Sequence, residues 1–191
     1  MLVTMLDPDA LAPERIRPLY RREYDQLVEL GVFENERVEL LRGALVAMSP
    51  QSAGHAEVIT RLTGIFASAL FGRAAVRVQL PLALSDDSEP EPDVALVAAG
   101  DYGHAHPSTA HLVVEVSTHG SPKNAVLKAA LYAEAAIPEY WVVDLAAAAV
   151  VVHRRPAGGR YQDVARLCTR DTAAPQAFPD VAIRVAALLP G

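Results

Sequence analysis

The sequence predicts a mixed α/β domain, in which helices pack on a central mixed sheet. Three observations carry this. Apolar runs of strand length alternate along the chain with stretches of helical period. Residues 112–116 read Leu-Val-Val-Glu-Val, a nearly unbroken apolar run of the kind found in a strand buried on both faces. Glycine and proline punctuate most of the junctions. With 191 residues, 51% of them hydrophobic, the chain suffices for one domain with a sizeable core. The domain is expected to span 1–191, divided into an N-terminal helix and hairpin (18–50), a core (55–155) and a C-terminal strand extension (156–191).

The elements follow in order. Residues 18–30 predict a helix: Pro18 suits its first turn, Gly31 its C-terminal cap, and Tyr20, Tyr24, Leu27 and Val28 its apolar face. Residues 38–41 and 44–48 predict a hairpin turning at Arg42 and Gly43. Residues 55–71 predict a second helix, with Val58, Ile59, Leu62, Ile65, Phe66, Ala69 and Leu70 at helical spacing and Gly72 beyond. Residues 76–80 alternate as a strand with one buried face. The acidic, proline-bearing loop 85–92 delivers Asp93 into a strand over 93–97. Strand 111–117, helix 124–135 and strand 140–144 complete the core. The tail predicts strands at 150–152, 161–167 and 181–185, with a turn at 156–159 between the first two.

Composition excludes several classes. The single cysteine, Cys168, forbids an internal disulfide and a cysteine-cluster zinc site. The N-terminus lacks the basic region and long apolar core of a signal peptide, and no apolar run spans a bilayer, so a cytoplasmic protein without membrane association is expected. The net charge of −6 argues against generic coating of DNA. The tail reverses that balance: Arg154, Arg155, Arg160, Arg166 and Arg170 could form a local basic surface or lie scattered in solvent. No phosphate-cradling glycine loop and no serine-hydrolase elbow is present. His104, His106 and His111 are an incomplete ligand set for zinc. Tyr140 and Trp141 fit buried packing better than base stacking.

Chemistry concentrates in Asp93, Glu115 and Lys128. Asp93 alone also fits a turn after proline. Glu115 is costly inside an apolar strand unless a cation compensates it. Lys128 is one of two lysines in the chain, the other being Lys123; all other basic residues except histidine are arginine. Asn124, Lys128 and Tyr132 recur every four residues and share one helix face. If that face covers the strand of Glu115, two carboxylates and a lysine form a site at the sheet edge, suited to holding a divalent metal and polarising a water.

The chain resembles the Uma-two family of predicted endonucleases with the PD-(D/E)XK restriction-endonuclease-like fold. The match rests on Val38-Glu39-Leu40-Leu41-Arg42-Gly43, Met48-Ser49-Pro50, His55, Gln79, Ser88-Glu89-Pro90-Glu91-Pro92-Asp93, Leu112-Val113-Val114-Glu115-Val116-Ser117, Lys128, Tyr132 and Ile137-Pro138-Glu139-Tyr140-Trp141-Val142-Val143-Asp144, over roughly residues 20–155. The resemblance implies metal-dependent cleavage of nucleic acid, DNA foremost, with Mg2+ or Mn2+. It implies Asp93 and Glu115 as metal ligands, Glu39 as an additional ligand, and His55 as a proton or phosphate partner. Lys128 would orient or deprotonate the attacking water, because Ser117 occupies the lysine position of the motif and the lysine has moved to the helix. Gln79, Ser117, Asn124 and Tyr132 would line the site. A homodimer is expected by analogy of fold. The chain departs from the family at Asn124, where an aspartate is usual, and in the loop 118–122. The alternative is therefore a catalytically weakened dimeric module that binds nucleic acid or regulates. Hydrolysis of small phosphorylated molecules is a third reading.

Overall fold

The computed structural model describes residues 16–118 and 122–190, with the side chains of 122–124 also outside what is described. The N-terminal residues read above for targeting thus lie outside the described residues. Helix α1 (Arg21–Glu29) starts three residues after Pro18, with Tyr20 at its N-cap and the Glu23 carboxylate accepting from the Tyr20 N–H at 3.0 Å. Pro18 therefore precedes the helix instead of opening it. Tyr24, the buried residue of α1, donates its hydroxyl to the Val38 carbonyl at 3.0 Å and joins Val38 and Leu40 in a small apolar cluster. This fastens the helix to the hairpin of β1 (Val38–Leu41) and β2 (Ala44–Ala47). The hairpin turns through Arg42 and Gly43, at φ 50° and 76°, the left-handed pair that matches the twist of antiparallel strands. Only glycine fits the second position, since a Cβ there would lie 2.3 Å from the Pro18 Cβ.

Helix α2 (Ala53–Ala69) begins two residues earlier than its periodicity suggests, because the Ser52 hydroxyl caps it by accepting from the His55 N–H. It covers one face of a six-stranded sheet. In spatial order the strands are β3 (Ala74–Val78), β4 (Val94–Ala98), β5 (Leu112–Ser117), β6 (Glu139–Asp144), β7 (Ala149–Ala157) and β8 (Arg160–Cys168). Every neighbouring pair is antiparallel except β5 and β6, which run parallel and are joined by α3 (Pro122–Glu134). A parallel pair requires such a crossover.

Alternation divides the core. Val94, Leu96, Leu112, Val114, Val116 and Trp141 meet Val58, Leu62 and Phe66 of α2 on one face. Ala95, Val97, Val113 and Tyr140 meet Tyr132 and Ile137 on the other. The expected burial of β5 on both faces holds, as does the burial of Tyr140 and Trp141. Each large apolar side chain removed from water contributes about 2–3 kcal/mol, so this double layer is the main stabilising element.

The sequence expectation needs three corrections. β3 is an edge strand, half-buried throughout and without a fully buried face. β7 runs on through Pro156, which pairs with Tyr161, and the turn is made by Gly158 and Gly159. Proline is tolerated there because β7 has outrun its pairing with β6, which ends at Arg154. The expected tail strand over 181–185 shrinks to β10 (Ile183–Arg184), paired with β9 (Thr172–Ala173). Beyond it Val185 and Leu188 are buried on a short helix, α4 (Val185–Leu188). Among the described residues, no helix is long and apolar enough to cross a membrane.

Candidate active site

A cleft of about 500 Å³ opens where the ends of β5 and β6 meet the hairpin and the first turn of α2. Glu39, His55, Asp93, Glu115 and Lys128 all line it. These five residues span 90 positions of sequence, and the topology collects them. Val116 of β5 faces α2, so the alternation of the strand turns Glu115 to the opposite face, beneath α3. On α3, Lys128 and Tyr132 stand one turn apart and reach the same atom. The Lys128 ammonium and the Tyr132 hydroxyl each donate to Glu115 Oε1 at 2.9 Å. The expected polar stripe is thus formed by these two; the Asn124 side chain lies outside the described residues. The site does not lie at the sheet edge, as the sequence suggested. It sits on a central strand, because β4 and β6 flank β5 on both sides.

Lys128 also reaches Glu39 Oε2 at 3.0 Å, so its ammonium lies between two carboxylates with only 9% of the side chain exposed. Burial pushes the ammonium towards deprotonation, but Glu115 and then Glu39 pull harder, and its pKa ends above the usual lysine value. Both carboxylates thus favour the charged ammonium. Burial pushes Glu115 up to about 7; Lys128 opposes this, while Asp93 and Glu39 add to it. Glu39 is further braced by the Glu91 N–H, which donates to Oε2 at 3.2 Å.

Asp93 stands immediately before β4. Its Oδ2 accepts from the Val116 N–H at 2.8 Å, which sets it beside the residue that follows Glu115. Its Oδ1 lies 2.9 Å from His55 Nε2, within hydrogen-bond distance. Ser117 also lines the cleft. Gln79 does not: it stands behind Asp93, its N–H reaching the carbonyls of Pro92 and Asp93 at 3.2 Å. Gln79 adopts φ 52°, and its buried Nε2 has no hydrogen-bond partner.

Sequence spacing does not single out Arg37 and Glu91, yet both line the cleft, joined at 2.9 Å. They are 54 residues apart, and only the docking of the acidic loop on the hairpin brings them together. Two of the tail arginines are paired with carboxylates. Arg154 is tied to the buried Glu139 at 2.6 Å and Arg155 to Asp163 at 3.0 Å. His106 contacts Arg77, and His111 packs edge-on against Phe178.

The cleft suits a hard divalent cation. Magnesium is commonly held by one or two carboxylates and keeps several waters. Asp93 and Glu115 are the two carboxylates that could serve in this way. Among the described residues no group of three or more His, Cys, Asp or Glu could hold a metal. The lining also carries four carboxylates, Glu39, Glu91, Asp93 and Glu115, against the two cationic side chains Arg37 and Lys128. One divalent cation would cancel that excess.

Fold and site together define a mixed α/β domain of restriction-endonuclease-like architecture, with paired carboxylates and a lysine in an open cleft. The Uma2 family model, described as "Putative restriction endonuclease", matches residues 21–186, and the chain belongs to this family. A solved structure, that of a putative nuclease belonging to DUF820 from Anabaena variabilis ATCC 29413, is similar in fold. The TM-score is 0.71 at 13% identity, covering 90% of this chain and 97% of that one. No curated protein matches.

Proposed function

We propose that the chain is a divalent-metal-dependent endonuclease that hydrolyses phosphodiester bonds of nucleic acid, with DNA as the substrate. The observation that carries this reading is the Lys128 ammonium held 2.9 Å from Glu115, in the same cleft as the Asp93–His55 pair. Membership of a family described as restriction endonucleases supports it.

Asp93 and Glu115 would hold a magnesium or manganese ion. When bound, such an ion polarises a phosphoryl oxygen and lowers the pKa of a coordinated water. The remaining chemistry falls to the protein. Hydrolysis joins a water oxygen to phosphorus and breaks a P–O ester bond, and charge builds on the phosphoryl oxygens in between. Lys128 supplies a preorganised positive charge to those oxygens. Because two carboxylates keep it protonated, it orients the water and screens charge; it does not act as a base. His55 fixes the orientation of Asp93 through Nε2 and is placed to exchange a proton with the attacking or leaving oxygen. Tyr132 and Glu39 hold Glu115 and Lys128 in register.

By analogy of fold we expect a homodimer, in which two sites address two strands. The test is incubation of plasmid, linear duplex, single-stranded DNA and RNA with the protein and magnesium or manganese. Metal-dependent cutting of DNA is the expected result. Absence of cutting on all four substrates by folded protein refutes the proposal.

A further inference from the structure

Arg37 and Glu91 face each other across the rim of the cleft, and neither has a place in the hydrolytic scheme above. Arg37 immediately precedes β1, its side chain is 51% exposed, and its Nη2 lies 2.9 Å from Glu91 Oε2. Of the two cationic side chains lining the cleft, Lys128 is buried and engaged by two carboxylates. Arg37 is the one that faces solvent. Its single carboxylate partner is itself only 19% exposed. Because the Arg37 side of the pair is open to solvent, another anion can reach its guanidinium.

We propose that Arg37 is the residue that grips a backbone phosphate of DNA entering the cleft, and that Glu91 holds it at the rim until the phosphate takes its place. This rests on the nuclease reading and adds the residue that positions its substrate. A guanidinium binds phosphate through two parallel N–H donors, more strongly and with better-defined geometry than an ammonium. Glu91 connects the rim to the floor. Its N–H braces Glu39, and Glu39 holds Lys128. A phosphate on Arg37 would stand at the rim of the cleft that Lys128 and Glu115 line. The exchange involves ion pairing alone, and no covalent bond forms or breaks.

The test uses the full chain and a short fluorescein-labelled DNA duplex. Anisotropy gives Kd over a series of salt concentrations, and magnesium-dependent cleavage gives kcat and KM. For Arg37→Ala, Kd and KM are expected to rise roughly tenfold, with the salt dependence reduced by about one counterion and kcat little changed. Arg37→Lys is expected to recover part of the affinity. Glu91→Gln frees Arg37 and is expected to tighten binding, an outcome that misfolding does not produce. Unchanged Kd in Arg37→Ala, while the wild type still binds and cuts, overturns the role of Arg37 and leaves the nuclease reading intact. Wild type that neither binds nor cuts the duplex overturns both.

Discussion

Glu115 Oε1 lies 2.9 Å from Lys128 Nζ, although one residue belongs to a central strand and the other to the crossover helix that follows it. The parallel pairing of β5 and β6 forces that helix back over the sheet, and the four-residue spacing of Lys128 and Tyr132 aims both at the same oxygen. A carboxylate that would be costly in an apolar strand thus acquires two donors, one of them a cation.

Lys128→Ala removes that charge and leaves Glu39 and Glu115 facing each other. Cleavage is expected to fall below detection, and stability by about 3 kcal/mol, the cost of breaking a buried pair. Urea denaturation alongside the cleavage assay separates the two effects. Near-normal cutting by the folded variant excludes Lys128 from the chemistry.

Tyr132→Phe deletes one hydroxyl and keeps the packing of a fully buried ring. The lost hydrogen bond to Glu115 is expected to cost about 1 kcal/mol. Metal affinity is expected to drop about tenfold, as when the partner of a ligand is removed. Calorimetric titration with manganese measures this, and an unchanged affinity would show that Tyr132 only fills space.

Much of this site was legible in the sequence, and for identifiable reasons. Glu115 stood out because a charge interrupts an apolar run, and Lys128 and Tyr132 because helical period places them together. Asp93 was not legible by itself, because its position after Pro92 also fits a turn; it was read jointly with Glu115 and Lys128 and from the family resemblance. Arg37 and Glu91 were not legible, since their pairing depends on a loop docking 54 residues away and leaves no local pattern. Glu39 was read as a possible additional metal ligand; that it also anchors Lys128, at 3.0 Å, was not read from the sequence. The tail was misjudged where apolar residues 181–185 looked like a strand. Val185 and Leu188 are buried from a single helical turn instead, a choice set by tertiary packing.

Glu139 offers a test of stability apart from the site. It is fully buried and accepts from Trp141 Nε1 at 2.9 Å, Arg154 Nε at 2.8 Å and the Gln176 N–H. Glu139→Gln leaves the partly solvated Arg154 without its countercharge and is expected to cost about 1–3 kcal/mol. Cleavage per folded molecule is expected to be unchanged. A loss of activity larger than the loss of folded protein would mean that this network also shapes the cleft.

Glu89 gives the stability of the domain a pH dependence. Its Oε2 is buried without a hydrogen-bond partner, and Arg21 stands 3.9 Å away. Burial pushes its pKa from 4.5 up to about 7; Asp25 adds to this and Arg21 opposes it. An acid with a raised folded-state pKa contributes stability that is fully present below the unfolded value and is lost as pH rises through the folded one. The wild type is therefore expected to lose roughly 1–3 kcal/mol from this group between pH 4.5 and pH 8. Glu89→Gln is expected to flatten the profile in urea denaturation across that range. Parallel profiles for the two proteins would contradict the assignment.

The most direct measurement compares wild type, Asp93→Asn and Lys128→Ala in cleavage of duplex DNA with magnesium or manganese, each protein first shown to be folded by circular dichroism. The account predicts metal-dependent cutting by the wild type and its disappearance in both variants. Cutting that persists in either folded variant would contradict it.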